Sequence, residues 1–198
     1  MTEPTFKKIP SPQAAPLCAD IELEEPARRF LQAEPSPAAF LAQLMEQGLL
    51  VDAVRFLARA LPHRESTWWA CLCARTTLGE DARAEFKAAV EAAERWVYTP
   101  SEENRRTTYD AAQATDFESP VAWAAMAAFW SGGSMAPPEA PVVPPADNLT
   151  SKAVAGAVLL SAVMSEPEKA PEKYRTFLAQ GIDIANGGSG RTGQKPAG

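Results

Sequence analysis

One histidine, His63, and three cysteines, Cys18, Cys71 and Cys73, are all that the 198 residues offer to imidazole or thiol chemistry. An odd, small number of cysteines gives no disulfide framework, and their apolar neighbours suit a reducing compartment. Cys71 and Cys73 have a single residue between them. Helical metal pairs are spaced three or four apart and redox pairs keep two residues between, so neither pattern fits. On a helix the two thiols point about 200° apart, and both read as buried structural cysteines. His63 has Ser66 and Thr67 nearby but no nucleophile elbow around them, so it reads as a surface residue at a helix start. No catalytic residue, metal site or cofactor is expected.

Excess positive charge is also missing. A formal net charge of −6 argues against a general affinity for phosphate backbones, so nucleic acid is not an expected partner. The start, MTEPTFKKIPSP, has no apolar core after its lysines, and no signal peptide is expected. The longest apolar stretches, Val121 to Trp130 and Ala153 to Met164, fall short of the roughly 20 residues of a membrane-spanning helix. A cytoplasmic protein without a membrane partner is the expectation. No stretch alternates apolar and polar residues with strand formers, which removes β-structure.

What is present is alanine, leucine and valine at helical spacing, cut by clear start and stop signals. Ser36-Pro37 opens a helix closed by Gly48. Val51 to Leu78 reads as the organising stretch: one helix to about Ala60, with Asp52, Arg55 and Arg59 outward, then a second from Pro62 to about Leu78 that is apolar nearly all round. Residues 83–98 bury Phe86, Ala89, Val90, Ala93, Trp96 and Val97 on one face. Thr99-Pro100-Ser101-Glu102 reads as a capping box opening a polar helix to about Ala114, whose surface carries Asn104, Arg105, Arg106, Thr108 and Asp110. Ser119-Pro120 caps a short buried helix stopped by Gly132-Gly133. Residues 135–147, with Pro137, Pro138, Pro141, Pro144 and Pro145, are expected to lie extended across the surface. Asn148 or Thr150 caps an apolar helix to about Met164, and a last helix runs from about Pro171 to Ala185.

The pattern therefore predicts an all-α fold: a single bundle of stacked antiparallel helical hairpins, about eight to ten helices, with a Pro-rich surface segment. Residues 1–12 read as an extended arm, 13–186 as the helical domain with the Pro-rich connection 135–147 inside it, and 187–198 as a disordered tail. Exposed contact is expected at the polar helix entrance His63, Arg64 and Glu65, at Glu102, Arg105 and Arg106, and at the loop Trp130, Gly132 and Gly133.

The blocks DAVRFLARALPHRESTWWACLCAR, ERWVYTPSEENRR, PVAWAAMAAFWSGGSMAPP and LTSKAVAGAVLLSA, in that order from about Leu17 to Tyr174, resemble a recurrent bacterial family of small helical proteins. That family is associated with type VI secretion gene clusters, beside spike and tip components. A catalytically empty core, a polar capped helix and a Pro-rich arm that a groove could hold point to a non-enzymatic interaction protein, and with the resemblance the expectation is an adaptor or accessory that holds a protein partner such as a spike, tip or effector component. The resemblance carries no catalytic residues over, and the sequence sets no oligomeric state. The competing expectation is an enzyme or secreted effector with a polar site near Arg64 and Glu65 and near Arg105 and Arg106.

Overall fold

Alanine dominates the two helices at the centre of the molecule, and small side chains let helix axes approach closely enough to exclude water from both sides. The computed structural model describes residues 5–191. Among these it has nine α-helices and no strand: α1 (Glu25–Phe30), α2 (Pro37–Glu46), α3 (Leu50–Ala60), α4 (His63–Arg75), α5 (Ala84–Tyr98), α6 (Glu102–Gln113), α7 (Pro120–Phe129), α8 (Leu149–Val163) and α9 (Ala170–Ala185). The expected all-helical bundle is the fold found.

Helix α7, PVAWAAMAAF, packs on α4, α5, α6 and α8, and every residue of it except Trp123 is buried. Helix α8 packs on α3, α4, α7 and α9. Helix α4 touches α5, α7, α8 and α9, so the centre expected at Val51 to Leu78 is shared with α7 and α8. Trp69 is wholly enclosed and its indole N–H donates to the Phe177 carbonyl of α9 at 2.7 Å; Leu72 is half-buried. The α3 and α4 helices diverge because Leu61 is extended before Pro62 (φ −70°, ψ 144°).

The start signals work as their chemistry requires. Ser36 and Ser119 each precede a proline at a first helical position, and their hydroxyls accept the Ala39 and Ala122 N–H groups at 3.3 and 3.2 Å. The stop of α4 comes earlier than Leu78. Thr76 and Thr77 donate their hydroxyls to the Cys73 and Ala74 carbonyls at 2.6 and 2.7 Å, and such local bonds compete with continued helix. Asp52 corrects another expectation. It faces inward, 1% exposed, and its carboxylate accepts the Glu24 backbone N–H at 3.0 Å and meets Arg55 at 3.5 Å. The segment before α2 crosses over α3 there, with Arg59 bonded to Asp20 at 2.9 Å.

Both ends of the described chain are seated. Lys8 donates its N–H to the Ala185 carbonyl at 2.9 Å and Ile9 is buried, so residues 5–12 are extended but docked. Residues 187–191 were expected to be disordered, yet they fold back on α4 and α9. The Trp68 indole donates to the Ser189 carbonyl at 2.8 Å, Asp183 accepts the Gly190 N–H at 2.8 Å, and the Arg191 guanidinium lies 5.3 Å from the Trp68 ring. The glycines make this possible, since Gly187 and Gly190 have φ of +90° and +74°. The rest of the expected tail, 192–198, and residues 1–4 lie outside the described residues.

Gly181 on α9 marks a close helix approach. A Cβ there would stand 2.6 Å from a Leu57 methyl and 3.0 Å from the Trp69 ring, both fully buried and unable to withdraw. Gly181→Ala is therefore expected to cost about 1–3 kcal/mol by overpacking, measured as a lowered urea midpoint with an unchanged slope.

Candidate functional site

The sequence placed Arg105 on the surface of a polar helix. The structure turns it inward. Ser101, not Thr99, caps α6: its hydroxyl accepts the Asn104 N–H at 3.1 Å, while the Asn104 amide reaches back to the Thr99 carbonyl at 2.8 Å. Pro100 sits before the cap rather than inside the first turn. With the helix so started, Arg105 and Thr108 point into the bundle, 4% and 0% exposed.

A buried guanidinium requires partners for its donors, and Arg105 has them. Nε and Nη2 hold the two Glu102 oxygens at 2.7 and 2.8 Å, Nη1 donates to the Phe129 carbonyl at 2.6 Å, and Nη2 also reaches the Ser134 carbonyl at 2.9 Å. The cation lies 4.7 Å from the centre of the Phe129 ring. Arg106 bonds Glu102 at 2.6 Å and the Ala136 carbonyl at 3.1 Å. Two arginines thus pin the start of the Pro-rich segment to α6. Hydrogen bonds from Arg105 hold the Glu102 carboxyl below its usual range, with the charges of both arginines acting the same way.

The loop glycines divide under this arrangement. Gly133 has φ +66° and a Cβ on it would come within 2.9 Å of the Arg105 guanidinium, whereas Gly132 faces open space. Gly133 is the one that the anchor requires. On the other side of the loop, His63 Nδ1 lies 3.1 Å from the Ser131 carbonyl; a carbonyl only accepts, so the contact places the proton on Nδ1. Arg64 donates to the Val97 carbonyl at 2.5 Å, and Glu65 pairs with Lys8 at 3.2 Å. His63, Arg105 and Arg106 are thus brought together on one loop, while Arg64 and Glu65 line a separate recess of about 270 Å³ beside Lys8 and Trp68. Most of the polar residues expected to meet a partner are bonded within the fold.

An apolar surface lies next door, and the sequence reading missed all of it but Trp130. Tyr109, Phe117, Trp123, Met126 and Trp130 line a recess of about 300 Å³ between α6, α7 and the turn that joins them. Tyr109 packs on Phe129 at 4.9 Å and on Phe117 at 6.0 Å; Trp123 and Trp130 stand 6.5 Å apart. Tyr109 and Phe117 are each 38% exposed. The turn reaches this position through two successive left-handed residues, Asp116 (φ 55°) and Phe117 (φ 58°), neither of them glycine. Such residues cost roughly 1–2 kcal/mol each, and strained backbone concentrates where a side chain must be presented.

A family model covers residues 40–185, from α2 to the end of α9, and so includes both the arginine anchor and the aromatic recess. The chain belongs to this family. It is described as a family of unknown function, DUF6931. No curated protein and no solved structure matches the chain. The family span starts later than the resemblance read from the sequence and ends beyond it, at the close of α9.

Burial pushes the Cys71 and Cys73 thiols well above their ordinary range, and burial with the Asp20 charge pushes Cys18 up to about 12. Among the described residues, no three His, Cys, Asp or Glu side chains stand together as a metal ion would need. No single described helix is long and apolar enough to cross a membrane.

Arg105→Ala is expected to cost about 1–3 kcal/mol, because it leaves the Phe129 and Ser134 carbonyls without their donor, and Arg105→Lys is expected to recover little of this without the planar fork. Chemical denaturation measures both. Glu102 titrates lower in the folded chain than in the unfolded one, so its contribution is complete above about pH 4.3 and is lost as pH falls through the depressed folded value. A Glu102→Gln chain should lack that part of the acid limb in a pH series of melts. A limb of unchanged shape would contradict the anchor.

Proposed function

We propose that the protein is a non-enzymatic helical interaction protein, a cytoplasmic adaptor or accessory of a bacterial secretion system of the type VI kind. The observation that carries the interaction half is the aromatic recess between α6 and α7, where large apolar rings stand half-open to solvent on a strained turn. Aromatic side chains give the most contact area for the least lost side-chain freedom, and they anchor protein interfaces more often than other residues. The secretion half rests on the resemblance of the sequence blocks.

The polar contacts support the same choice over an enzyme built on Arg64, Glu65, Arg105 and Arg106. A catalytic pair needs groups free to meet one reacting atom. Here Arg105 and Arg106 are engaged by Glu102 and three carbonyls, and Arg64 and Glu65 are engaged by Val97 and Lys8.

A photo-crosslinking residue placed at Phe117 in cells that carry the native secretion cluster tests the whole reading. The expected product is a covalent adduct with a spike, tip or effector component, absent when the same residue replaces Arg29 on the far, exposed α1. A folded, expressed chain that traps no secretion component from Phe117 would sink the proposal.

A further inference from the structure

The recess is apolar within, and three carboxylates stand next to its lining residues in the chain. Its lining is almost wholly apolar. Asp110 follows Tyr109, and Asp116 and Glu118 flank Phe117; all three are exposed, and none forms an ion pair with another described residue. The nearest cations on α6 do not neutralise them, because Arg105 and Arg106 share Glu102 and face the Pro-rich segment. Lys152, four residues before the Gly156 on which Trp123 rests, lines another recess together with Asp20 and Glu22. The residues directly beside the lining residues in the chain include these three carboxylates and no lysine or arginine.

We infer that this recess takes a short, extended, proline-bearing segment of a protein partner that carries lysine or arginine beside its prolines. The inference rests on the interaction reading above and names the chemistry of its partner. A volume of about 300 Å³ holds a few side-chain groups, the footprint of an extended segment rather than the i, i+4, i+7 face of a docking helix. Tilted aromatic rings suit the flat, preorganised rings of a polyproline helix, which loses little conformational freedom on docking. The three unpaired carboxylates select the sign of the flanking charge.

The same argument excludes the chain's own Pro-rich segment from a second copy. Residues 135–147 carry Glu139 and Asp147 and no lysine or arginine, so like charges would meet. That segment is also closed on itself: Met135 donates to the Val143 carbonyl at 2.8 Å, and the Ser134 hydroxyl accepts the Ala136 and Val143 N–H groups at 3.1 Å each.

Fluorescence anisotropy with three capped heptapeptides tests this on the full chain: Ala-Lys-Pro-Leu-Pro-Lys-Ala, and the same peptide with glutamine or glutamate in place of lysine. The lysine peptide is expected to bind saturably and about five- to tenfold more tightly than the glutamine one at low salt, as a few exposed charge pairs allow. The gap should close as salt is raised. The chain carrying Asp110→Asn, Asp116→Asn and Glu118→Gln, all on exposed unpaired residues, should bind both peptides alike. Phe117→Ala should lose both while keeping its melting cooperativity. Equal binding of lysine and glutamine peptides by the native chain overturns the charge selection and leaves the recess as a docking site. Binding of none of the three overturns the docking reading itself. Self-association of the native chain that the lysine peptide reverses would make a second copy the occupant and overturn the inference.

Discussion

A guanidinium in the interior must satisfy its donors or the fold cannot hold it, and the arrangement around Arg105 follows from that constraint. The cost of leaving such a charge unpaired runs to several kcal/mol. The end of α7 and the loop after it are therefore shaped to supply acceptors. The Phe129 and Ser134 carbonyls point at Arg105, and Gly133 leaves room for it. Arg106 adds the Ala136 carbonyl to the same anchor. Without this set, nothing comparable ties the Pro-rich segment to the bundle at its start.

The anchor also fixes what lies one turn further along α6. Residues four apart on a helix share a face, so aiming Arg105 at Phe129 places Tyr109 on the same ring. Phe129 accordingly meets the cation at 4.7 Å and the Tyr109 ring at 4.9 Å. The Tyr109 ring then becomes one wall of the aromatic recess, with Phe117 beside it. Structure and candidate function are coupled through one buried phenylalanine: the register of α6 is set by an internal charge, and the recess inherits its geometry from that register.

Much of the frame was legible in the sequence because it is written in local chemistry. Ser36-Pro37 and Ser119-Pro120 mark helix starts wherever they stand, and the apolar spacing of α5 and α9 needs no tertiary information. The signal failed where a side chain's direction depends on a distant partner. Asp52 reads as surface until Glu24 crosses over it; Arg105 reads as surface until the end of α7 offers carbonyls. The glycines of 187–191 read as a tail because their composition matches a flexible one. Only the contact with Trp68 and Asp183 shows them folded. The recess was hidden for a further reason. Left-handed residues are ordinarily announced by glycine, less often by asparagine or aspartate; Asp116 is only a weak signal of this kind and Phe117 is none.

That silence bears on how the recess should be understood. A turn that ended α6 with glycine would cost less and would leave no large ring at its tip. The chain instead holds Phe117 in a disfavoured backbone state, half-exposed, where burial recovers little of that cost. The rest of the bundle can sustain the strain because α7 beneath it is built largely of small residues and is held by four neighbouring helices. A rigid floor, an anchored α6 and a strained tip together hold four aromatic rings open to solvent. Such preorganisation means that a partner arriving there orders little of this chain on binding, and the affinity then depends chiefly on how well its own segment fits the rings and the neighbouring carboxylates.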